Sequence, residues 1–334
     1  MKNFFAQNFM RASMKKIFFF ALCVFFLFSA CEQKNISETS DEVSQTKQLR
    51  VIATVFPSFD FVRKIAGDKV NLSMLISPGA ESHSFEPTAR DMISISEADL
   101  FIHVGGVKDE WVAAVIASVP SENLRVVPLI DIAGELLALT QTECDDDCDH
   151  DDDEEHPHDE FDVHVWTCPR QVIAIVENLT EILCEMDETN ANFYRENAAS
   201  FVAELRELDE NFLDVVENAT RNIVVFGDRF PFRYFVETYD LTAIAAFDKC
   251  CVDTSVAPGT VSSIITLVEN RKIPVVFHIE LSNKLVANII EEATGAKLSE
   301  LHSAHNISGA DFNAGVTYLD LMRRNIENLR EALN

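Results

Sequence analysis

Apolar residues fall in short blocks along most of the chain, and the blocks alternate in period. LRVIATVFPSFDFV opens as a buried strand, with β-branched Val51 and Ile52, and Pro57 punctuates its end. FDFVRKIAGDKV then has helical spacing, and Gly67 stands where a helix would stop. VNLSMLI reads as a second strand, followed by the loop SPGAESHSFEPTARD. A helix through Met92 to Ala98, a strand DLFIHVGG and a helix from Trp111 come next. Further on, Pro169 to Met186 and Asn190 to Ala219 read as helices separated by DETN. The second carries Phe193, Phe201, Leu205, Leu208, Phe212 and Val215 at helical intervals and is long enough to bridge two lobes. RNIVVFGD, IPVVFHIE and AKLSEL restart the strands. Strands alternating with helices predict an α/β fold of two lobes, each with a mostly parallel sheet flanked by helices, joined by one long linking helix.

Two segments stand outside this pattern. Lys15 and Lys16 precede the apolar run IFFFALCVFFLFSA, which suits a signal-peptide core and is short of the roughly 20 apolar residues of a spanning helix. Met14 opens that leader. The run ends in FSAC, which resembles a bacterial lipobox with Phe28 where an aliphatic residue is usual, and predicts lipidation at Cys31. An uncleaved anchor helix is the alternative, and both place the bulk of the protein outside the cytoplasm. Residues 32–48 are polar and aperiodic, as in a flexible tether. The predicted divisions are a signal segment at 1–31, the tether at 32–48, an N-terminal lobe at 49–168 with an acidic, His-rich loop at 143–160, helices at 169–219, and a C-terminal lobe at 220–334.

Composition narrows the function. A length of 334 residues allows two ordinary domains, and 47% apolar residues can fill their cores. The formal net charge of −28 argues against nucleic acid and favours attraction of cations. Loops after the carboxyl ends of parallel strands are where such sheets hold ligands. His83, His164, Asp228, Glu280, His302 and His305 all occupy such places. Imidazoles with an oxygen donor suit Zn²⁺, and Mn²⁺ gains as carboxylates replace imidazoles. Each histidine taken singly reads as a surface or hydrogen-bonded residue; their shared placement is what points to a metal site. A zinc hydrolase using Asp228 or Glu280 as base is the competing class, but the chain has no HExxH and no nucleophile elbow.

Four stretches carry a resemblance: ESHSFEPTARDMISISEADLFIHVGG, DVHVWTCPRQ, VVFGDRFPFRYFVETYDL and GVTYLDLMRRNIENLREAL. They are similar to the metal-binding solute receptors of bacterial ABC uptake systems, of the zinc and manganese class, and most of all to lipid-anchored zinc receptors. The resemblance covers nearly all of the chain after Leu49. It implies an ion held between two lobes linked by one rigid helix, small lobe motions, delivery to a membrane permease, no enzymatic activity, a lipid anchor and a monomer. It also implies His83 as first ligand and His164 as second. Aligning Tyr234 and Phe235 puts Arg229 at the third ligand position, and a guanidinium cannot coordinate a cation, which leaves Asp228 as the neighbouring candidate. The fourth position falls on His305, with His302 as alternative, and Glu280 is expected to orient an imidazole from behind. Zn²⁺ is the expected ion; a manganese receptor and a surface metal-binding adhesin are the alternatives. In similar receptors a His- and acid-rich loop lies near the second ligand, which gives CDDDCDHDDDEEHPHDE a role: His150, His156 and His158 would capture ions beside the main site. A solvated acidic loop that serves only solubility is the alternative. Cys144, Cys148, Cys168, Cys184, Cys250 and Cys251 remain after the leader and the lipidated position, with their pairing open.

Overall fold

The computed structural model describes residues 48–80, 85–106, 110–119, 123–137, 161–247 and 256–334. In the first half, β1 (Leu49–Ala53), α1 (Phe56–Ala66), β2 (Val70–Met74), α2 (Ala89–Ser96), β3 (Leu100–His103), α3 (Glu110–Ser118) and β4 (Arg125–Pro128) follow in turn. Two helices then intervene, α4 (Pro169–Met186) and α5 (Ala191–Glu217). The second half runs β5 (Ile223–Arg229), α6 (Arg233–Thr238), β6 (Thr242–Phe247), α7 (Pro258–Arg271), β7 (Val275–His278), α8 (Leu285–Thr294), β8 (Lys297–Glu300) and α9 (Tyr318–Leu333). Each half builds one four-stranded parallel sheet, ordered β2-β1-β3-β4 and β6-β5-β7-β8. The strand order reverses between β1 and β3 and again between β5 and β7, so each half has a crevice at its carboxyl edge.

The central strands are apolar on both faces because both faces are covered. In β5, Val224 and Phe226 face a core that runs through both halves, while Val225 turns to an outer core with Ile264, Val268 and Ile290 of α7 and α8. In β7, Val275 and Phe277 face the shared core and Val276 the outer one. In the first half Ile52 and Phe101 pack outward against Ile95 of α2 and Val112 and Val115 of α3.

The shared core is spanned by α5. Its 27 residues reach about 40 Å at 1.5 Å per residue. Phe201 on this helix lies 6.1 Å, ring to ring, from Phe61 of α1, and Phe212 lies 4.9 Å edge-on from Phe235 of α6. One rigid rod is thus packed into both halves. A second tie is Asp60 of α1, which is fully buried. It accepts the backbone N–H of Tyr318 at the start of α9 and the Arg63 guanidinium. Burial raises the Asp60 carboxyl above its ordinary range, and Arg63 offsets part of that rise.

Several elements depart from the sequence reading. Pro57 lies in the first turn of α1 rather than marking only a strand's end, a position where its missing N–H has no helical partner to lose. Helix α2 starts at Ala89, before Met92, because Thr88 and Asp91 form a reciprocal cap. On α5 it is Tyr194 that is fully buried, whereas Phe193 is only partly so. Strands β4 and β6 were not evident from periodicity. Gly67 does end α1, with φ of 53°.

Gly227 fixes how α8 sits on the second sheet. A Cβ there would lie 2.4 Å from the Cα of Ala287, so only glycine lets the α8 backbone approach β5 this closely. Gly227→Ala must push a helix backbone, and we expect it to cost about 3 kcal/mol in a urea titration, the upper end for overpacking. A loss well below about 1 kcal/mol would show that α8 can shift freely.

Candidate metal centre

The carboxyl edges of the two sheets bring several predicted residues together. His164 stands in the sequence Asp162-Val163-His164-Val165-Trp166, just before a short turn at Val165–Thr167 and the start of α4. Asp162 Oδ1 accepts both the backbone N–H of His164, at 2.8 Å, and its Nδ1, at 2.7 Å. This local turn fixes the ring and commits Nδ1 to the carboxylate, so any coordination by His164 would run through Nε2. His164 is 4% exposed, which places the imidazole inside the protein rather than on its surface.

His305 arrives from the other half, in the loop after β8. Its ring centre lies 5.5 Å from that of His164, with the rings near perpendicular, and 5.1 Å from that of Trp166. Two imidazoles on one tetrahedral Zn²⁺, with Zn–N of about 2.0–2.1 Å, have ring centres about 5 Å apart. The separation of the two rings is close to that value. Trp166 also ties the two loops: its indole N–H donates to Ser303 O at 3.0 Å, and its own carbonyl accepts the Tyr318 hydroxyl at 2.8 Å.

Glu280, just past β7, acts on the loop that carries His305. Its carboxylate accepts the Ser303 N–H at 2.7 Å, the Ser303 hydroxyl at 2.6 Å and the His305 N–H at 3.1 Å. It holds His305 through the backbone, and its Oε2 also faces the ring of His302, 3.6 Å from Nδ1. Asp228 has one oxygen on the Arg229 N–H at 2.8 Å and the other on the Ile279 N–H at 3.2 Å. It clips the ends of β5 and β7 at the switch point. His302 is 4% exposed, with Nδ1 accepting the Ala304 N–H at 2.9 Å and its backbone N–H and carbonyl both bonded to Asn325 of α9. The structure thus pairs His164 with His305 and builds His302 into the wall.

His83 lies outside the described residues, as do His150, His156, His158 and Cys31. The chain before His83 is tied to the site: Asn306, next to His305, donates its amide to Ala80 O at 2.6 Å and to Ser77 O at 3.2 Å. Among the described residues, no three His, Cys, Asp or Glu side chains group as metal ligands. Sequence reasoning missed Asp162, Trp166, Asn306 and Tyr318. Asp162 was findable, since an acid two residues before a histidine can close this turn; the others act through contacts between distant segments. Cys168 and Cys184 are buried free thiols, and the other four cysteines under consideration lie outside the described residues.

Two parallel-sheet lobes, one rod through both, and paired imidazoles at the sheets' carboxyl edges are the frame of a two-lobe solute receptor. The chain belongs to the family described as zinc-uptake complex component A, periplasmic (ZnuA), which matches residues 51–332. It is 26% identical over 317 residues to the high-affinity zinc uptake system protein ZnuA of Bacillus subtilis, covering 95% of this chain and 97% of that one. It is 26% identical over 311 residues to the zinc-binding lipoprotein AdcA of Streptococcus pneumoniae, covering 93% of this chain, but it spans only 59% of that protein's length. The fold superposes on the Zn(II)-bound ZnuA-like domain of Streptococcus pneumoniae AdcA with a TM-score of 0.70 at 22% identity, covering 86% of this chain and 99% of that domain.

Proposed function

We propose that the protein is an extracytoplasmic receptor that captures Zn²⁺ and hands it to the membrane permease of an ABC uptake system, without covalent chemistry. The observation that carries this reading is the facing pair His164 and His305, 5.5 Å apart and drawn from different halves of a chain in the zinc-uptake family. His83, three residues beyond Ala80, supplies the third imidazole, with water or a carboxylate completing the shell. A set of imidazoles favours zinc over manganese. Because the ligands bind as neutral rings, affinity falls in acid. Cys31 anchors the receptor to the membrane by a lipid, and the receptor works as a monomer.

The test is metal analysis of Glu32 to Asn334, purified without chelator and competed with Zn²⁺ against Mn²⁺. One tightly held zinc, lost in His83→Ala, supports the receptor. Preference for manganese would move the protein to the manganese class, and no tight ion at all would sink the reading.

The acidic insert serves as a collector of ions for that site. His150, His156 and His158 among many carboxylates bind weakly and raise the local concentration of cations. Deleting Glu143 to Glu160 should lower the total zinc bound in equilibrium dialysis and leave one tight site. Unchanged stoichiometry would reduce the insert to a solvated acidic loop.

A further inference from the structure

The segment from the last residue of β5, Arg229-Phe-Pro-Phe-Arg-Tyr234, occupies the place of a third ligand in the resemblance but brings arginine there. What it supplies is a grip on Asp162. Arg233 Nε lies 3.8 Å from Asp162 Oδ2, an ion-pair distance too long for a direct hydrogen bond. The neighbouring Tyr234 hydroxyl donates to the Asp162 carbonyl at 2.8 Å and accepts the Leu137 N–H at 3.2 Å. Burial pushes the Tyr234 phenol up to about 12, so it stays a donor at neutral pH.

Asp162 is therefore held on every side. Oδ1 takes His164, Oδ2 faces Arg233, the carbonyl takes Tyr234, and the N–H donates to Leu137 O at 3.1 Å. At 9% exposure little water is available to replace any of these partners. A carboxylate fixed this way has one oxygen aimed at the His164 ring and cannot turn away from it. That matters chemically, because an imidazole can ligate through Nε2 only while its proton sits on Nδ1.

We propose that Arg233 and Tyr234 are positioning residues for ion binding: acting through Asp162, they lock His164 in the Nδ1–H tautomer and at a fixed ring angle. The second lobe thus contributes to the centre from behind an imidazole of the first, in place of donating a ligand from this segment. The inference rests on the receptor reading for its metal readout and on the metal-free protein for the other.

The test compares wild type with Arg233→Met, Arg233→Lys and Tyr234→Phe. Zinc affinity is measured by competition with a chromophoric chelator, and the His164 tautomer by nitrogen NMR of the metal-free protein. Arg233→Met is expected to weaken zinc several-fold, up to about the 10-fold lost when a ligand's own outer partner is removed, and to mix the tautomers. Lysine should restore most of the affinity, because it returns the charge, and Tyr234→Phe should weaken zinc less than Arg233→Met does. An Arg233→Met protein with unchanged affinity and tautomer would overturn the proposal. So would a loss that lysine fails to rescue with the tautomer intact, since that marks packing alone. If the wild type holds no tight zinc, the receptor reading fails, and the metal-free NMR comparison still decides the positioning role.

Discussion

Replacing His164 by alanine is expected to lower zinc affinity by about two powers of ten and to leave the fold standing. Zinc sites release about 12 kcal/mol on binding, and sharing this among four ligands gives about 3 kcal/mol for each. The fold survives because the turn survives: Asp162 Oδ1 keeps the backbone N–H of residue 164 after the ring is gone. The cost to the metal-free protein should be about 1.5–3 kcal/mol, the value of one hydrogen bond to a charged group. His305→Ala should behave alike, and with both rings on one ion the double variant should lose less than the sum. Isothermal titration with a competing chelator, beside thermal melts without metal, reads both halves of this expectation. Independent, additive losses would mean that the two rings do not share an ion.

Glu280→Ala should strike stability and binding together. The carboxylate satisfies three donors, Ser303 N–H, Ser303 hydroxyl and His305 N–H, inside the protein. Hydrogen bonds to a charged group contribute about 1.5–3 kcal/mol each, and removing the acceptor strands the donors. Allowing for relaxation, a loss of about 3 kcal/mol or more is expected in denaturant titrations. Zinc should weaken as well, because His305 rides on the released loop. Glu280→Gln should fall between, since its single amide oxygen serves one side of the loop and turns an N–H₂ against the other. Hydrogen exchange at Ser303 and His305 gives the local readout. Wild-type protection in Glu280→Ala would show that the loop is held by other means.

The central strands and long helices were legible because burial on both faces, or on one helical stripe, leaves a strong apolar pattern. Two of the four edge strands, β4 and β6, were not. β4 is the four residues RVVP, and β6 is TAIAAF, rich in alanine and only partly buried, so neither carries the β-branched run of β5. At the site, the histidines could be found because they stand in strand-end loops of predictable position. The contacts that aim them could not. Arg233 meets Asp162, and Trp166 meets Ser303, only once two halves distant in sequence are folded against each other. The role of Glu280 shows the same limit: its place after β7 was plain, whereas its three donors lie on a loop that follows another strand. For His83 and the acidic insert, sequence remains the source of the assignment.

The shared core and the rod through it leave little freedom for the two halves to swing. Such a frame would favour local reordering of loops over a wide hinge motion. Any difference between the full and the empty protein would then start in the buried turn from Leu301 to Ser308 and Trp166 against it, and reach the surface only through the residues around them. Substitutions that loosen that turn would then blur the difference between full and empty, even in a protein that still binds its ion tightly.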